Sequence, residues 1–379
     1  MSFPATAQDA ATTFIEQHTM ADQRLLLTLP GMTIDVVSNQ LKLLEELADY
    51  FRHVATLKPA KQALSTDGSS DTAATIVCIE HANVELDVAW QQWQREAGKT
   101  GRKDAFYPLE DGRLLFKVRT GMVFLQSLTY RIAIGPCLAN SNQIINFINN
   151  QYINKLQQSD WLIGHAAAVT SGSKGMAFCG FSGGGKSTSM LHLMANGRYQ
   201  FVSNDRLFIR REHGQLQCRG IPKLPRINPG TIINNPALLP IINEQQAVRY
   251  KAMHTNELWP LEEKFDADVI RLFGANRINH ASSLDFLVIL NWQPSNASPC
   301  TITQVDIAKR HDLLPALMKS PGPFYQDQTG KFLANGADVL TDKALQQVYI
   351  DALQGCEVYE VSGGVNFEQL LEHCQRLLD

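Results

Sequence analysis

Apolar residues recur at two different spacings in the first 160 residues of the chain. Over residues 32–55, Leu41, Leu44 and Leu47 belong to a set at helical spacing, which predicts one helix across the whole stretch. Residues 65–74 are small and polar and predict a loop or linker. The other elements predicted in this part are strands over 75–80, within 112–126 and over 130–135, and helices over 84–98 and 142–158.

The pattern changes from residue 161 onward. Strands over 161–169 and 176–180 flank a hairpin turn, and a glycine-rich loop, a helix and a strand over 199–203 follow. A buried strand is predicted over 283–292. Near the end, one helical face is predicted to close the core, and it carries Phe367, Leu370, Leu371, Cys374 and Leu378.

Composition places the chain among ordinary globular proteins. Its 379 residues allow two domains, and 44% hydrophobic with 19% charged residues is typical of that class. A net charge of -3 gives no footprint for nucleic acid or an anionic membrane surface. No apolar run approaches the roughly 20 residues of a membrane-spanning helix, and the first residues lack the pattern of a secretory signal.

The seven cysteines indicate the compartment. They are odd in number, widely scattered and contain no C-x-x-C pair. Such spacing favours free thiols over a disulfide framework or a zinc site. We therefore expect a cytoplasmic protein.

The glycine-rich loop fits the phosphate-binding pattern G-x-x-x-x-G-K-[ST] between a strand and a helix. Glycines let backbone N–H groups approach phosphates, Lys186 can reach the β- and γ-phosphates, and the Ser187 hydroxyl can ligate Mg²⁺. A chance glycine turn is the alternative; the GKT at 98–100 is such a case, because no strand precedes it. The residues expected to bind nucleotide here are Gly180, Phe181, Ser182, Gly183, Gly184, Gly185, Lys186, Ser187 and Thr188.

Two common classes of nucleotide-binding protein do not fit. A transporter ATPase needs a signature of the LSGGQ type, and the nearest stretch, 361–365, has no acidic strand after it. A GTPase needs N-K-x-D after a late strand, but Trp292 and Pro294 replace the lysine and the aspartate that should follow Asn291.

An aspartate follows the loop by only one helix and one strand. We expect Asp205 to lie with the loop at the carboxyl ends of neighbouring strands, where ligands bind in α/β sheets. A carboxylate there can hold Mg²⁺ through water or accept the proton of a hydroxyl that attacks the γ-phosphate. The alternative is an aspartate that caps a turn.

The segment "HAAAV…MAFCGFSGGGKST…FVSNDR…LQCRGIP" resembles the catalytic domain of bacterial HPr kinase/phosphorylase, and more narrowly the HPr kinase-related proteins of the kinase B type. The match covers about residues 160–225 and, more loosely, the C-terminal "VYEVSGGVNFEQLL". It implies an α/β P-loop kinase domain of the HPr kinase/phosphoenolpyruvate carboxykinase type, a mixed sheet with flanking helices over 111–379. An N-terminal accessory α+β region would occupy 1–110.

The resemblance also implies roles for individual residues. His165 takes the position of the family's catalytic-site histidine, Asp205 that of its base, and Arg219 that of the arginine in its later signature. Two acidic residues of the family are missing here. Gln217 replaces the second magnesium ligand, and Asn204 replaces the first member of the acidic pair.

The sequence therefore predicts a kinase that uses ATP and Mg²⁺ and transfers the γ-phosphoryl group to a hydroxyl, with a protein serine as the expected acceptor. The catalytic residues would be His165, Lys186 and Asp205, the nucleotide contacts would include Arg219, and the metal ligands would be Ser187 and Gln217. Lys264 and Arg277 are candidates for further positive charge at the γ-phosphate, with solvated surface charges as the alternative. A nucleotide-binding regulatory module and a small-metabolite kinase remain alternatives, and assembly into a homo-oligomer is expected.

Overall fold

The computed structural model of the chain describes residues 4–60, 73–94, 101–181, 184–258, 261, 263–293, 295–336 and 339–379. The chain divides into two compact units. Unit 1 comprises Met1–Ser159 and Pro321–Asp338, and unit 2 comprises Asp160–Ser320 and Val339–Asp379. The boundary expected after residue 110 lies inside unit 1, because the strands on either side of it pair with each other. Hydrophobic periodicity predicts strands, but it does not show which sheet they join.

Unit 1 is built on a mixed sheet with three α-helices among its described residues. The sheet has nine strands in the order β3-β1-β2-β4-β9-β8-β7-β6-β5. The β2–β4 and β4–β9 pairs are parallel and the others antiparallel. The elements are α1 Ala7–Ile15, β1 Gln23–Leu29, β2 Met32–Ser38, α2 Leu41–Tyr50, β3 Ala55–Pro59, β4 Ala73–Glu80, β5 Gln91–Gln92, β6 Asp104–Pro108, β7 Gly112–Lys117, β8 Met122–Ser127, β9 Arg131–Gly135, a 3-10 turn Leu138–Asn140 and α3 Ser141–Gln157.

Two predicted helices of unit 1 differ in the structure, and one is confirmed. The stretch 32–55 forms strand β2 and then helix α2, because Met32, Ile34 and Val36 alternate with less buried Thr33 and Asp35 in the period of a strand. The described part of 84–98 contains only the short strand β5 instead of a helix, and residues 95–98 lie outside the described residues. The helix predicted over 142–158 is α3. Residues 65–72 of the expected linker also lie outside the described residues.

Unit 2 contains a six-stranded sheet, β13-β11-β12-β19-β21-β20, and a four-stranded sheet, β10-β14-β15-β18, among its described residues. Its strands are β10 Leu162–Gly164, β11 Ala166–Thr170, β12 Gly175–Gly180, β13 Gln200–Ser203, β14 Leu207–Glu212, β15 Gln215–Gly220, β16 Arg226–Ile227, β17 Phe265–Asp266, β18 Ala281–Ser283, β19 Phe286–Leu290, β20 Thr301–Val305 and β21 Glu357–Ser362. Its helices are α4 Lys186–Ala195, α5 Pro229–Ile233, α6 Glu244–Lys251, α7 Thr255–Leu258, α8 Val269–Phe273, α9 Lys343–Leu353 and α10 Phe367–Leu378, with 3-10 turns at Pro236–Ile241, Ile307–Lys309 and His311–Ala316.

The central strands of the six-stranded sheet are buried on both faces, and their alternate residues enter two cores. Ala167 and Phe178 face a core that includes residues of α4 and α10. Ala166 and Cys179 face a second core that includes α9 and the four-stranded sheet. Central strands covered on both sides read as continuous apolar runs, which explains "HAAAV" and "MAFCG".

Helix α10 has the packing role that its sequence predicts. Asn366 caps it by accepting a hydrogen bond from the Gln369 N–H. The face with Leu370, Cys374 and Leu378 is buried in the first core. The described chain is thus a mixed α/β protein with two large mixed sheets and flanking helices.

Candidate active site

The site lies where three strands of the six-stranded sheet meet at one edge. Strands β12 and β13 are both antiparallel to β11, which lies between them, so both end where β11 begins. The register pairs Ala166 with Cys179 and Ala168 with Ser203. We expected the loop and Asp205 to follow neighbouring strands, and this was wrong, because β11 lies between the two strands. The loop and Asp205 nevertheless lie at the same edge of the sheet, and β11 begins there next to His165.

Glycine is required in the loop where neighbouring groups approach the backbone. A Cβ at Gly180 would lie 2.7 Å from the carbonyl oxygen of Leu290. Gly185 has φ +88°, and a Cβ there would lie 2.9 Å from the ring of Phe367. Ser182 and Gly183 lie outside the described residues.

An aromatic pair supports the loop. Trp292 is almost fully buried, and its indole N–H donates to the Gly184 carbonyl at 2.9 Å. Its ring packs edge-to-face on Phe367 with centroids 5.0 Å apart. Sequence reasoning treated Trp292 only as a break in a guanine-binding motif and Phe367 only as a core residue, because nothing local connects either with a loop more than 100 residues away.

The first residues of α4 present polar groups to the edge. Lys186 Nζ donates to the Gly180 carbonyl at 3.3 Å, and Ser187 Oγ donates to Asn204 Oδ1 at 2.6 Å. Thr188, expected to contact nucleotide, is buried and hydrogen-bonded to Thr231 Oγ1 at 2.9 Å.

Asp205 is held between two basic side chains in a left-handed backbone conformation, φ +76°. Its Oδ1 lies 3.2 Å from His165 Nε2, and its Oδ2 lies 2.9 Å from Arg206 Nη1. Burial alone would raise the pKa of Asp205, but the hydrogen bond from His165 and the charge of Arg206 outweigh it and hold the pKa well below its usual range. The side chain is therefore a carboxylate at neutral pH.

Further cations act on this edge. Burial lowers the pKa of Lys186 most, the like charges of Arg206 and Lys319 lower it further, and Asp205 raises it. Burial also lowers the pKa of Lys223, whereas the charge of Asp205 raises it. Sequence reasoning missed Arg206, Lys223 and Lys319; only Arg206 had a local signal, its position next to Asp205.

The structure places Arg219 and Gln217 on strand β15. The Arg219 guanidinium stacks 4.4 Å above the ring of Trp161, which Arg210 also contacts at 4.8 Å. Gln217 pairs in register with Arg210 and with Ser283. Gln217 lies three residues before Gly220, or about 10 Å along the strand. Gly220 is the residue next to the site, because a Cβ there would overlap the carbonyl oxygen of Val202.

Arg277 and Lys264 were candidates for charge at the γ-phosphate, with solvated surface charges as the alternative. Arg277 donates to the carbonyls of Met194 at 2.7 Å and of Tyr199 at 2.8 Å, at the end of α4 opposite to the glycine loop. Lys264 is exposed to solvent.

The oxygen atoms at the edge fit a weakly held Mg²⁺. Ser187 and Asn204 supply neutral oxygens, and Mg²⁺ prefers oxygen ligands with several positions left for water or phosphate. Among the described residues there is no group of three or more His, Cys, Asp or Glu side chains that could hold a metal by themselves. Most of the negative charge that neutralises such a metal ion would therefore have to come from phosphates.

Comparisons with known proteins add little. No protein-family model matches the chain, and no curated protein matches it. Among solved structures it is similar to the Hpr(Ser) kinase/phosphatase from Coxiella burnetii, with 13% identity over 57% of this chain and 87% of that one, and a TM-score of 0.28. A likeness this weak does not establish a shared activity, so the function must be inferred from the residues themselves. Within the described residues, no helix is both long and apolar enough to cross a membrane.

Proposed function

We propose that unit 2 is an ATP-dependent phosphotransferase that acts on a hydroxyl group, with a protein serine as the acceptor. The observation that carries this proposal is the common sheet edge. It places Lys186 and Ser187, at the start of a helix behind a glycine loop, beside an ionised Asp205 paired with His165.

The nucleotide would bind at the loop and the first turn of α4. The amino end of a helix of ten residues offers unpaired N–H groups and a positive dipole to phosphate oxygens. Among the described residues, the Lys186 ammonium donates to the Gly180 carbonyl oxygen at 3.3 Å, which a phosphate oxygen can replace as its partner. Ser187 and Asn204 would hold Mg²⁺, which neutralises phosphate charge when bound, and the role of Gln217 as a ligand stays a prediction.

Asp205 would receive the proton of the acceptor hydroxyl. Its depressed pKa makes it a weak base, which suits phosphoryl transfer, because bonding to the nucleophile is small in a loose transition state and positioning matters most. Each of its oxygens has one basic partner and keeps a second lone pair for the hydroxyl. The side chains of Asp205 and His165 are 41% and 34% exposed, so an acceptor on a protein surface can reach them.

A second candidate function is a nucleotide-binding regulatory module without transferase activity. The partners of both Asp205 oxygens favour it, because a carboxylate that is hydrogen-bonded to His165 and ion-paired with Arg206 is already stabilised as the anion. The neutral Asn204 amide beside Ser187 favours it as well, because it weakens the hold on a metal.

Transfer of the γ-phosphoryl group to proteins of a cell extract tests the proposal, with phosphorylated products identified by mass spectrometry. We expect phosphorylated serine with the wild-type chain and none with Lys186→Ala. We expect Asp205→Asn to lower transfer by about a thousandfold, within the range of general acid–base catalysis, while the Kd for ATP changes less than threefold. Normal turnover by Asp205→Asn would refute its role as the base. ATP binding by the wild type without transfer to protein or small alcohols would establish the regulatory module.

A further inference from the structure

Unit 1 contains a polar cavity that the proposed kinase site does not use. Its volume is about 280 Å³. Strand β8, the turn before β9, helix α3 and the segment around Gln326 form its walls, all of which belong to unit 1. Ligand pockets are usually about 300–1,000 Å³ and mostly apolar, so this cavity is suited to a small and polar molecule.

Amide side chains that line the cavity are buried. Gln126, Gln151, Asn154 and Gln326 are each at most 5% exposed. Buried amides are costly unless they are hydrogen-bonded, and here they bond to one another and to the backbone. Gln151 Nε2 donates to Gln126 Oε1 at 2.8 Å, and Asn154 Nδ2 donates to the Phe324 carbonyl at 2.8 Å. These bonds fix the amides in place before any ligand arrives.

Hydrogen bonds of the same kind attach the wall formed by the segment around Gln326 to the end of α3. Gln158 Nε2 donates to the Gln326 carbonyl at 2.8 Å, Gln328 donates to the Gln158 carbonyl, and Gln326 Nε2 donates to the Gly330 carbonyl at 2.9 Å. A segment that comes from a distant part of the chain is thus held as one wall of the cavity.

The charge of the cavity is positive. Arg131 and Lys155 line it, and the described lining residues include no aspartate or glutamate. The Arg131 guanidinium donates to the backbone carbonyls of Leu128 at 2.7 Å and Thr129 at 3.4 Å. Burial lowers the pKa of Arg131. A partly buried cation whose hydrogen-bond partners among the described residues are backbone carbonyls favours a negative ligand.

We propose that this cavity binds a small organic anion of the carboxylate or phosphate class, with Arg131 and Lys155 facing its charge and the buried amides facing its neutral polar groups. The cavity belongs to unit 1 and the proposed kinase site to unit 2, so this inference does not rest on the kinase activity.

Isothermal titration of the full chain tests this with two anions and a neutral control. Citrate represents carboxylates, glycerol 3-phosphate represents phosphates, and glycerol has the skeleton of the latter without its charge. We expect at least one anion to bind with a Kd below about 1 mM and glycerol not to bind. No binding by either anion, or equal binding by glycerol, would overturn the proposal.

Variants locate the binding site. We expect Arg131→Gln to weaken anion binding about tenfold or more, while Arg119→Gln, a change at an exposed arginine of the same unit, alters it less than twofold. Lys186→Ala removes the competing site at the phosphate loop and should leave the binding unchanged. Binding that is lost in Lys186→Ala and kept in Arg131→Gln would assign the anion to the loop and refute the cavity. If Arg131→Gln does not fold, Lys155→Gln on α3 takes its place with the same expectation.

Discussion

Helix α4 has a left-handed glycine and a basic side chain near both of its ends, but the two ends differ in what surrounds them. At the start, Gly185 has φ +88° and its Cβ position is 2.9 Å from Phe367. At the far end, Gly197 has φ +89° and nothing within 4 Å of its Cβ position. The first glycine is enclosed by side chains, whereas the second only reverses the chain in solvent.

The basic residues differ in the same way. Lys186 lies beside an ionised aspartate and further cations, so its charge is part of a polar cluster. Arg277 donates to the carbonyls of Met194, in the last turn of the helix, and of Tyr199, in the segment that follows it. Residue type alone therefore does not identify a functional group. The contacts of the side chain must also be known, because they decide whether its charge can still bind a ligand.

The largest effect expected in this comparison is that of Gly185→Ala. The change adds a methyl group against an aromatic ring at a backbone angle that side chains rarely adopt, so the loop must move. We expect the Kd for ATP to rise at least about a hundredfold, because the N–H groups that would face the phosphates lose their positions. Titration with ATP measures it.

Gly197→Ala is the matched control, because it carries the same backbone cost without a contact. Both variants should lose about 1 kcal/mol of stability from the unfavourable φ, but Gly197→Ala should bind ATP as the wild type does. Equal loss of ATP binding in the two variants would show that the contact with Phe367 is irrelevant.

A smaller effect is expected for His165→Ala at the loop end. The hydrogen bond from His165 lowers the pKa of Asp205 against the burial that raises it, so removing the imidazole must raise that pKa. In the wild type, the stabilisation from ionised Asp205 is present above its unfolded pKa of about 3.9 and is lost as the pH falls through the lower folded pKa. In the variant that loss begins at higher pH.

We therefore expect kcat to fall roughly tenfold to a hundredfold in His165→Ala, because Asp205 loses one of its two positioning partners. The acid limb of the pH–rate profile should also move to higher pH. His254→Ala, at an exposed histidine of unit 2, should change neither quantity. An acid limb that stays in place would show that His165 does not control the ionisation of Asp205.

The comparison also shows which parts of the site a sequence can reveal. The strand, glycine loop, helix and following strand over 176–203 are local features, and the structure contains them at nearly the predicted positions. The insertion of β11 between β12 and β13 is a choice of sheet order that periodicity does not encode. The contacts of Trp292 and Phe367 with the loop depend on residues far apart in the chain.

In unit 1 too, local features could be predicted from the sequence and long-range contacts could not. The helix α3 was predictable because its apolar spacing runs for four turns, whereas 32–55 was misread because seven strand residues precede a helix with similar apolar content. The amides and cations around the cavity occur in three separate stretches, 126–131, 151–158 and 326–328, and no motif joins them before the chain folds.

The support that Trp292 gives to the loop should have a moderate effect. Trp292→Phe removes the N–H that donates to Gly184 and keeps a ring against Phe367. One such hydrogen bond contributes about 1 kcal/mol, so ATP affinity should fall about fivefold. Trp90→Phe, in unit 1, is the control that should leave affinity unchanged. A loss greater than a hundredfold would mean that the indole does more than hold the glycine turn.

The smallest effect on the nucleotide is expected at the far end of α4. Arg277→Gln removes charged donors from the carbonyls of Met194 and Tyr199, which should lower the free energy of unfolding by about 2 kcal/mol. Because these carbonyls lie at the opposite end of the helix from the loop, the Kd for ATP and kcat should change less than twofold. Chemical denaturation and titration with ATP separate the two quantities. A variant with wild-type stability and impaired turnover would show that Arg277 brings its charge to the γ-phosphate after all, and that the two ends of the helix are not as different as their contacts indicate.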